Sequence, residues 1–393
     1  MISVADADRL LHAHADPLGA ERVPLARAAG RVLRERATAE RDLPPFDRVA
    51  MDGVALASAA VRAGAVRFRV ASVQAAGEPP HTLPDSGACV EVMTGAALPL
   101  GADAVVPYEA LRLEAGTATL TDAAAVRPHQ NVHARGADGA AGSLVLGAGV
   151  RIGPAHVAAL ASAGCAAVRV AARPRLAILA TGDELVPPGA PVLPHQIRAS
   201  NGPALAAALA LAGYDAPPPA LVRDDPDALR AAIRTGLETD VLLLSGGVSA
   251  GRYDRVPELL AEAGVRVVFH KVRQKPGKPL WFGVTGDGRA AFGLLGNPVS
   301  ALVCLVRYVL PFLARREGAD ALPSCAVRLT ALPPRKNDFT HFVAVRREGL
   351  EAHPVPTNGS GDVLSLLPSD GLAEVPFSQS APGPVLFRPW PGR

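Results

Sequence analysis

Four polar stretches in the chain hold groups suited to an anionic ligand, and each follows an apolar run. Thr181-Gly182-Asp183-Glu184 follows residues 176–180. Ser245-Gly246-Gly247-Val248-Ser249-Ala250-Gly251, with Tyr253-Asp254 behind it, follows 241–244. Lys275-Pro276-Gly277-Lys278-Pro279 comes after 265–270, and Gly296-Asn297-Pro298-Val299-Ser300 comes after 291–295. Residues 245–251 are rich in glycine and small hydroxyls, so their backbone N–H groups can close on a phosphate-like anion. The spacing is neither GxGxxG nor GxxxxGK[ST], which disfavours dinucleotide binding and ordinary nucleoside-triphosphate hydrolysis. Lys275 and Lys278 flank a Pro-Gly pair that restricts the loop and keeps both ammonium groups on it. Asp183, Glu184 and Asp254 are hard oxygen donors suited to Mg2+ together with phosphate oxygens. Glu184 and Asp254 are the expected metal ligands.

Each stretch also has a plainer reading. Residues 245–251 read equally as a tight strand-to-helix turn, and the lysines as solvated surface groups. The acids suit helix N-termini, where the macrodipole favours negative charge. Asn297 and Pro298 suit an ordinary cap and first helical turn. Anion loop, lysines and acids on one edge together suit a Mg2+-bound phosphoanhydride.

The elements that must position these loops are legible. Between residues 173 and 314, apolar strand runs at 176–180, 220–222, 241–244, 265–270, 280–284 and 291–295 alternate with helical patterns at 203–212, 226–236, 256–263 and 299–314. That alternation predicts a mostly parallel sheet in a three-layer α/β domain covered on both faces. Ligands of such sheets bind outside the carboxyl ends of the strands, where the four loops lie. Residues 5–36 read as helical, broken at Pro17 and Pro24, and 43–47 as a rigid turn. Short β-prone runs fill 54–150, and 156–170 reads as a helix and a strand. Residues 321–393 alternate as in a small β-barrel or sandwich. The expected domains are therefore 1–172, a helical frame with an inserted β-rich subdomain at about 54–150; 173–320, α/β; and 321–393, a small β-barrel.

Composition narrows the function classes. The chain has 393 residues, 49% hydrophobic but only 4% aromatic, so aliphatic cores are expected. A net charge of +3 is too small to imply nucleic acid or an anionic membrane as the main partner. The longest uninterrupted apolar stretches are about 12 residues, shorter than a membrane span. The first residues, Met1-Ile2-Ser3-Val4-Ala5-Asp6, do not read as a signal peptide. Cys89, Cys165, Cys304 and Cys325 lie far apart, which disfavours zinc and disulfides and predicts reduced thiols in a cytoplasmic protein.

Taken in order, these segments resemble the molybdopterin molybdenumtransferase family, whose animal relative is gephyrin, over nearly the whole chain. Leu43-Pro44-Pro45-Phe46-Asp47 with Ala50-Met51-Asp52-Gly53 is similar to the family's N-terminal active-site segment. Val92-Met93-Thr94-Gly95-Ala96 resembles a second, and Gln130-Asn131 with Arg135-Gly136-Ala137-Asp138 a third. The four loops above look like its substrate loops, and Pro368-Ser369-Asp370-Gly371-Leu372 like its C-terminal domain. The resemblance implies an α/β domain like that of the molybdopterin adenylyltransferases. It also implies Mg2+-dependent insertion of molybdate into adenylylated molybdopterin with release of AMP, in a homodimer whose site is shared between subunits.

By matching positions, the resemblance makes Asp52, Thr94, Asp138, Glu184 and Asp254 the catalytic group. The substrate-binding residues are then Thr181, Gly182, Asp183, Asp224 or Asp225, Ser245, Gly246, Gly247, Ser249, Gly251, Lys275, Lys278, Gly296, Asn297 and Pro298. Asp52, Thr94 and Asp138 would come from the partner subunit. Molybdate is expected beside Asp52 and Thr94, with the Asp52 carboxylate orienting donors, a metal or water. This chain has Arg48-Val49 where the family usually has Asn-Ser. It also has Ala137 in place of an acid, Ala199 in place of Asp and Leu295 in place of Pro. The alternatives are a diverged pterin-binding paralogue with weak turnover, a molybdopterin adenylyltransferase, or a scaffold. An adenylyltransferase is also a candidate partner.

Overall fold

The computed structural model describes residues 1–392 except 249–254, 320–323 and 335–337. The chain forms two compact units, one of Met1–Glu21 with Val170–Arg393 and one of Arg22–Arg169.

In the first unit, six strands order as Ala220–Val222, Leu176–Thr181, Val241–Ser245, Ala290–Leu294, Trp281–Val284 and Arg266–His270. The first four are parallel, and Trp281–Val284 alone runs against both its neighbours. Side chains alternate across the sheet with period two. Leu176, Ile178, Leu243 and Phe292 face one helical layer that includes Leu205, Leu209 and Phe312. Leu179, Leu242, Leu244 and Ala291 face the other, with Leu229, Ile233 and Leu259. The expected three-layer α/β domain is present. Its core is not purely aliphatic, because the few aromatics gather: Phe282 stands 4.8 to 5.6 Å from the rings of Phe269, Phe292 and Phe312.

The helix of residues 298–316 has the length and hydropathy of a membrane span, but 78% of that span is buried in the core. Its middle, Leu305–Val309, is a π-turn between α segments Pro298–Cys304 and Leu310–Arg316. Pro311 supplies the cause, since it has no N–H for the ladder and its ring crowds the preceding turn.

Residues 325–389 form a closed five-stranded barrel in which Thr340–Glu348, Glu351–Pro354, Cys325–Leu329, Gly383–Pro389 and Gly371–Val375 follow one another and the last pairs with the first. Val327, Leu329, Val345, Val375 and Phe387 fill it.

Helix in residues 5–36 is limited to Val4–His12, which packs in this unit's core and is capped by a reciprocal Ser3–Asp6 pair. Beyond it the backbone turns to the strand Ala20–Pro24 and the single turn Leu25–Arg27. Pro17 and Pro24 remove two donors that a continued helix needs.

The unit Arg22–Arg169 is mainly β rather than a helical frame. Its sheet orders as Ala104–Pro107, Gly53–Leu56, Ala88–Val92, Arg67–Gln74, Thr117–Leu120 and Leu111–Glu114. Val54, Leu56, Cys89 and Val106 bury on one face, and Ala55, Val90, Val92 and Val105 on the other. Only two short α-helices, Ser58–Arg62 and Pro154–Ser162, accompany it among the described residues.

Candidate active site

In the α/β sheet, Ala180 pairs with Ser245 and Ser245 with Leu294, while Thr181 pairs with Val222. Four adjacent parallel strands therefore end level, and the loops that follow them share one edge. Side chains stitch these loops together. The Thr181 hydroxyl donates to Asp224 Oδ1, and the Asp224 N–H donates to Asp183 Oδ1 at 3.3 Å. Asp183 also lies 3.7 Å from Arg223 Nε. Gly246 has φ +103°, and a Cβ there would stand 2.4 Å from the Thr181 carbonyl, so only glycine lets the two turns touch. Gly182 is buried at the same turn, and Glu184 is exposed beside it.

Asp224 and Asp225 have separate surroundings. Asp225 caps the helix Pro226–Gly236 by accepting the Ala228 N–H at 2.9 Å. Asp224 faces the Thr181 turn. Buried Ser245 donates to the Leu295 carbonyl at 3.3 Å. Asn201 Nδ2 reaches both Ser245 Oγ at 2.9 Å and the Gly296 carbonyl at 2.7 Å, tying the anion loop to the helix start. Asn201 was not among the expected site residues. A lone Asn at a helix start reads as a cap, and its distant partners leave no trace in the sequence. Asn297 precedes Pro298–Cys304, and its side chain donates to Ser360 Oγ at 2.9 Å. Ser249, Gly251 and Asp254 lie outside the described residues.

The lysine loop ends the strand Arg266–His270 at the same edge. Lys275 and Lys278 are exposed, and Lys278 stands 5.6 Å from the Phe339 ring centre. A cavity of about 720 Å³ opens beside them, walled by the loop, by Leu295 and Ser300, and by Phe339, His341 and Ser365 of the barrel.

In the other unit, three separated segments meet. The strand Arg48–Val49 pairs with Val132–His133 on one side. On the other, Val49 exchanges backbone hydrogen bonds with Gly95 and Ala96 at 2.9 Å. Asp52 Oδ1 accepts both the backbone N–H and the hydroxyl of Thr94 at 2.6 Å. The Thr94 hydroxyl first, then its N–H, hold the Asp52 carboxyl below the usual carboxylate range. Tyr108 donates to Glu91 Oε1 at 2.6 Å. Burial first, then that bond, pushes the phenol up to about 12. Asp138 lies 3.0 Å from His133 Nε2, and the Arg135 N–H donates to Asp47 at 2.8 Å. The structure thus brings Asp52, Thr94 and Asp138 onto one connected set of segments.

Three segments of the chain match known families in order. Residues 2–164 match the "MoeA N-terminal region (domain I and II)", 177–315 the "Probable molybdopterin binding domain", and 326–381 the "MoeA C-terminal region (domain IV)". A molybdopterin molybdenumtransferase of Synechocystis is 37% identical, covering 97% of each chain. The chain belongs to the MoeA family of molybdopterin molybdenumtransferases. A Staphylococcus epidermidis member is 30% identical over 95% of this chain and 91% of its own. The crystal structure of a Pyrococcus horikoshii molybdopterin biosynthesis MoeA protein superposes over the whole of both chains with a TM-score of 0.80 at 30% identity.

Three of the departing residues, Val49, Arg48 and Leu295, have distinct surroundings. Val49 is 1% exposed and packs with Ala55, Val90 and Val105, so its side chain belongs to the core. Arg48 is exposed beside it, and Leu295 is half-buried in the cavity wall.

Proposed function

We propose that this MoeA-family protein inserts molybdate into adenylylated molybdopterin, cleaving the phosphoanhydride with Mg2+ and releasing AMP, as a cytoplasmic homodimer. The observation that carries the reading is the full-length family match together with the level ends of the substrate strands. Exposed Lys275 and Lys278 are suited to the phosphates, and the Gly247 N–H to closer contact with them, since the Gly246 N–H already donates to the Leu294 carbonyl at 3.1 Å. Gly296, Asn297 and Pro298 begin a helix whose N-terminus favours anions. Asp224, rather than the capping Asp225, is the acid assigned to the substrate edge.

Mg2+ is commonly held by one or two carboxylates plus substrate oxygens. No cluster of three or more ligating side chains occurs among the described residues, whereas Glu184 and Asp224 are exposed hard donors at that edge. The donor set therefore fits a metal brought in with the phosphates, with Asp254 as a further ligand outside the described residues. When bound, such an ion offsets charge on the parting phosphate.

For molybdate, exposed Arg48 supplies charge near Asp52, and the Thr94 hydroxyl and N–H, which donate to Asp52 in this structure, would have to turn from it to reach the oxyanion. Asp138 completes this group in the reading. In this reading the site is shared across the homodimer, with Asp52, Thr94 and Asp138 coming from the partner subunit. A molybdopterin adenylyltransferase is the natural supplier of the substrate.

A diverged pterin-binding paralogue with weak turnover is the second reading, favoured by buried Val49 where the family usually carries serine. The deciding experiment is AMP release from purified adenylylated molybdopterin with Mg2+ and molybdate or tungstate. Tight pterin binding without oxyanion-dependent AMP release supports the paralogue. For Asp52→Ala and Arg48→Ala, the molybdate dependence should change while pterin binding persists. Asp254→Ala should lose Mg2+-dependent cleavage. Sedimentation as a monomer under active conditions removes the shared-site part.

A further inference from the structure

The lysine loop rests on a buried polar strut. Gln274 is fully buried. Its Nε2 donates to the carbonyls of Pro276 at 3.1 Å and Gly277 at 3.2 Å, and lies 3.6 Å from Cys304 Sγ. Its Oε1 accepts the hydroxyl of Tyr308, itself fully buried within the π-turn. Both ends of the amide are thus satisfied without water. Gly277 has φ +88°, and a Cβ there would stand 2.6 Å from both Gln274 Nε2 and Cys304 Sγ, so the loop backbone sits directly on the strut. Burial pushes the Cys304 thiol up to about 12, so it stays protonated, with Sγ 3.9 Å from the Gly277 carbonyl.

This arrangement fixes the two carbonyls between Lys275 and Lys278 from below while both lysines stay exposed. Lys275 is also held by strand pairing with His341, and Lys278 by the Val272 N–H at its carbonyl at 2.9 Å, so Gln274 fixes the turn between two anchored ends. We propose that Gln274, held by Tyr308, is a positioning residue that sets the lysine loop for simultaneous engagement of the anionic ligand. The inference rests on the phosphate-binding role of Lys275 and Lys278 proposed above.

A filler that merely completed the core would affect stability and leave affinity unchanged in the folded protein. A positioning residue acts through the lysines, so its effect must couple to theirs. The test uses the full chain with Gln274→Met, Tyr308→Phe, Lys275→Ala and the double variant Gln274→Met with Lys275→Ala. The readouts are KM and kcat for adenylylated molybdopterin with molybdate, hydrogen exchange of the 275–279 amides, and Tm. In Gln274→Met, KM should rise about tenfold, the loss of roughly one charged contact, with kcat nearly unchanged and faster exchange in the loop. The double variant should fall well short of the product of the single effects. Tyr308→Phe should move KM and exchange in the same direction by less. Multiplicative effects, or unchanged KM in both Gln274→Met and Tyr308→Phe, overturn the proposal. If Gln274→Met does not fold, Tyr308→Phe alone and combined with Lys275→Ala carries the same comparison. If the unsubstituted protein releases no AMP, the proposed function falls, and loop exchange decides the strut: unchanged exchange in both variants overturns it.

Discussion

Arg307 and Asp8, 299 residues apart in the chain, meet through two parallel hydrogen bonds of 2.7 Å. The same guanidinium donates to Glu374 at 2.9 Å and lies 5.0 Å from the ring centre of Tyr308. First helix, π-turn and barrel strand are thereby joined at one cation whose side chain is only 5% exposed. Burial alone would disfavour its charge, but the bonds to Asp8 and the charge of Glu374 raise its pKa. Arg307→Met leaves Glu374 with Arg388 alone, 3.7 Å away, and half-buried Asp8 without its cation. It should cost about 3–5 kcal/mol in a urea melt, the range for breaking a buried pair from one side. A loss below about 1 kcal/mol would mean that the cluster behaves as a surface pair.

The Thr94–Asp52 contact predicts a pH effect with a definite sign. Asp52 has a depressed pKa, so its contribution is present above the ordinary carboxylate value and lost as pH falls through the lowered one. Thr94→Val removes the larger cause and keeps the backbone donor. The Asp52 titration, followed by carboxyl-carbon NMR, should move part of the way up toward the ordinary value of about 3.9. A midpoint that stays put would show that the hydroxyl bond does not persist in solution.

The exposed lysines should separate binding from stability. Lys275→Ala and Lys278→Ala each remove a charged hydrogen bond, about 1.5–3 kcal/mol. Affinity for the adenylylated pterin should therefore drop about tenfold or more, with little change in Tm. Unchanged affinity in both variants would return the lysines to ordinary solvated surface groups.

Adjacent acids at 224 and 225 should fail in different ways. Asp225→Ala removes a helix cap and should cost about 1 kcal/mol of stability with turnover retained. Asp224→Ala loosens the Thr181 turn and should lower AMP release more than it lowers Tm. If Asp225→Ala is the variant that abolishes turnover, the assignment of Asp224 to the substrate edge is reversed.

Much of this was legible where local signals agree. The strand Ala220–Val222 and the helix Pro226–Gly236 have the bounds expected from the apolar run at 220–222 and the helical pattern at 226–236. The expected edge loops follow from strand order in the same way. Residues 13–36 misled because leucines at mixed helical spacings imitate a helix that Pro17 and Pro24 prevent. Asn201 and Gln274 stayed hidden for a different reason. Their types are ordinary, and their importance lies in partners at Ser245, Gly296 and Tyr308 that only folding brings near.

The π-turn in residues 305–309 also acts as a phase-setter. An α-helix advances about 100° per residue, so the widened turn offsets Leu310–Arg316 from the phase that Pro298–Cys304 would otherwise impose. The wide turn holds one residue more than an α turn, so deleting a single residue there would restore a regular α-helix with Phe312 and Leu313 still buried, whereas inserting one would turn them away from the core and bring charged Arg315 toward it. Tolerance to length change in this short stretch is therefore one-sided: the wide turn can give up one residue without re-aiming a hydrophobic face but cannot take one up.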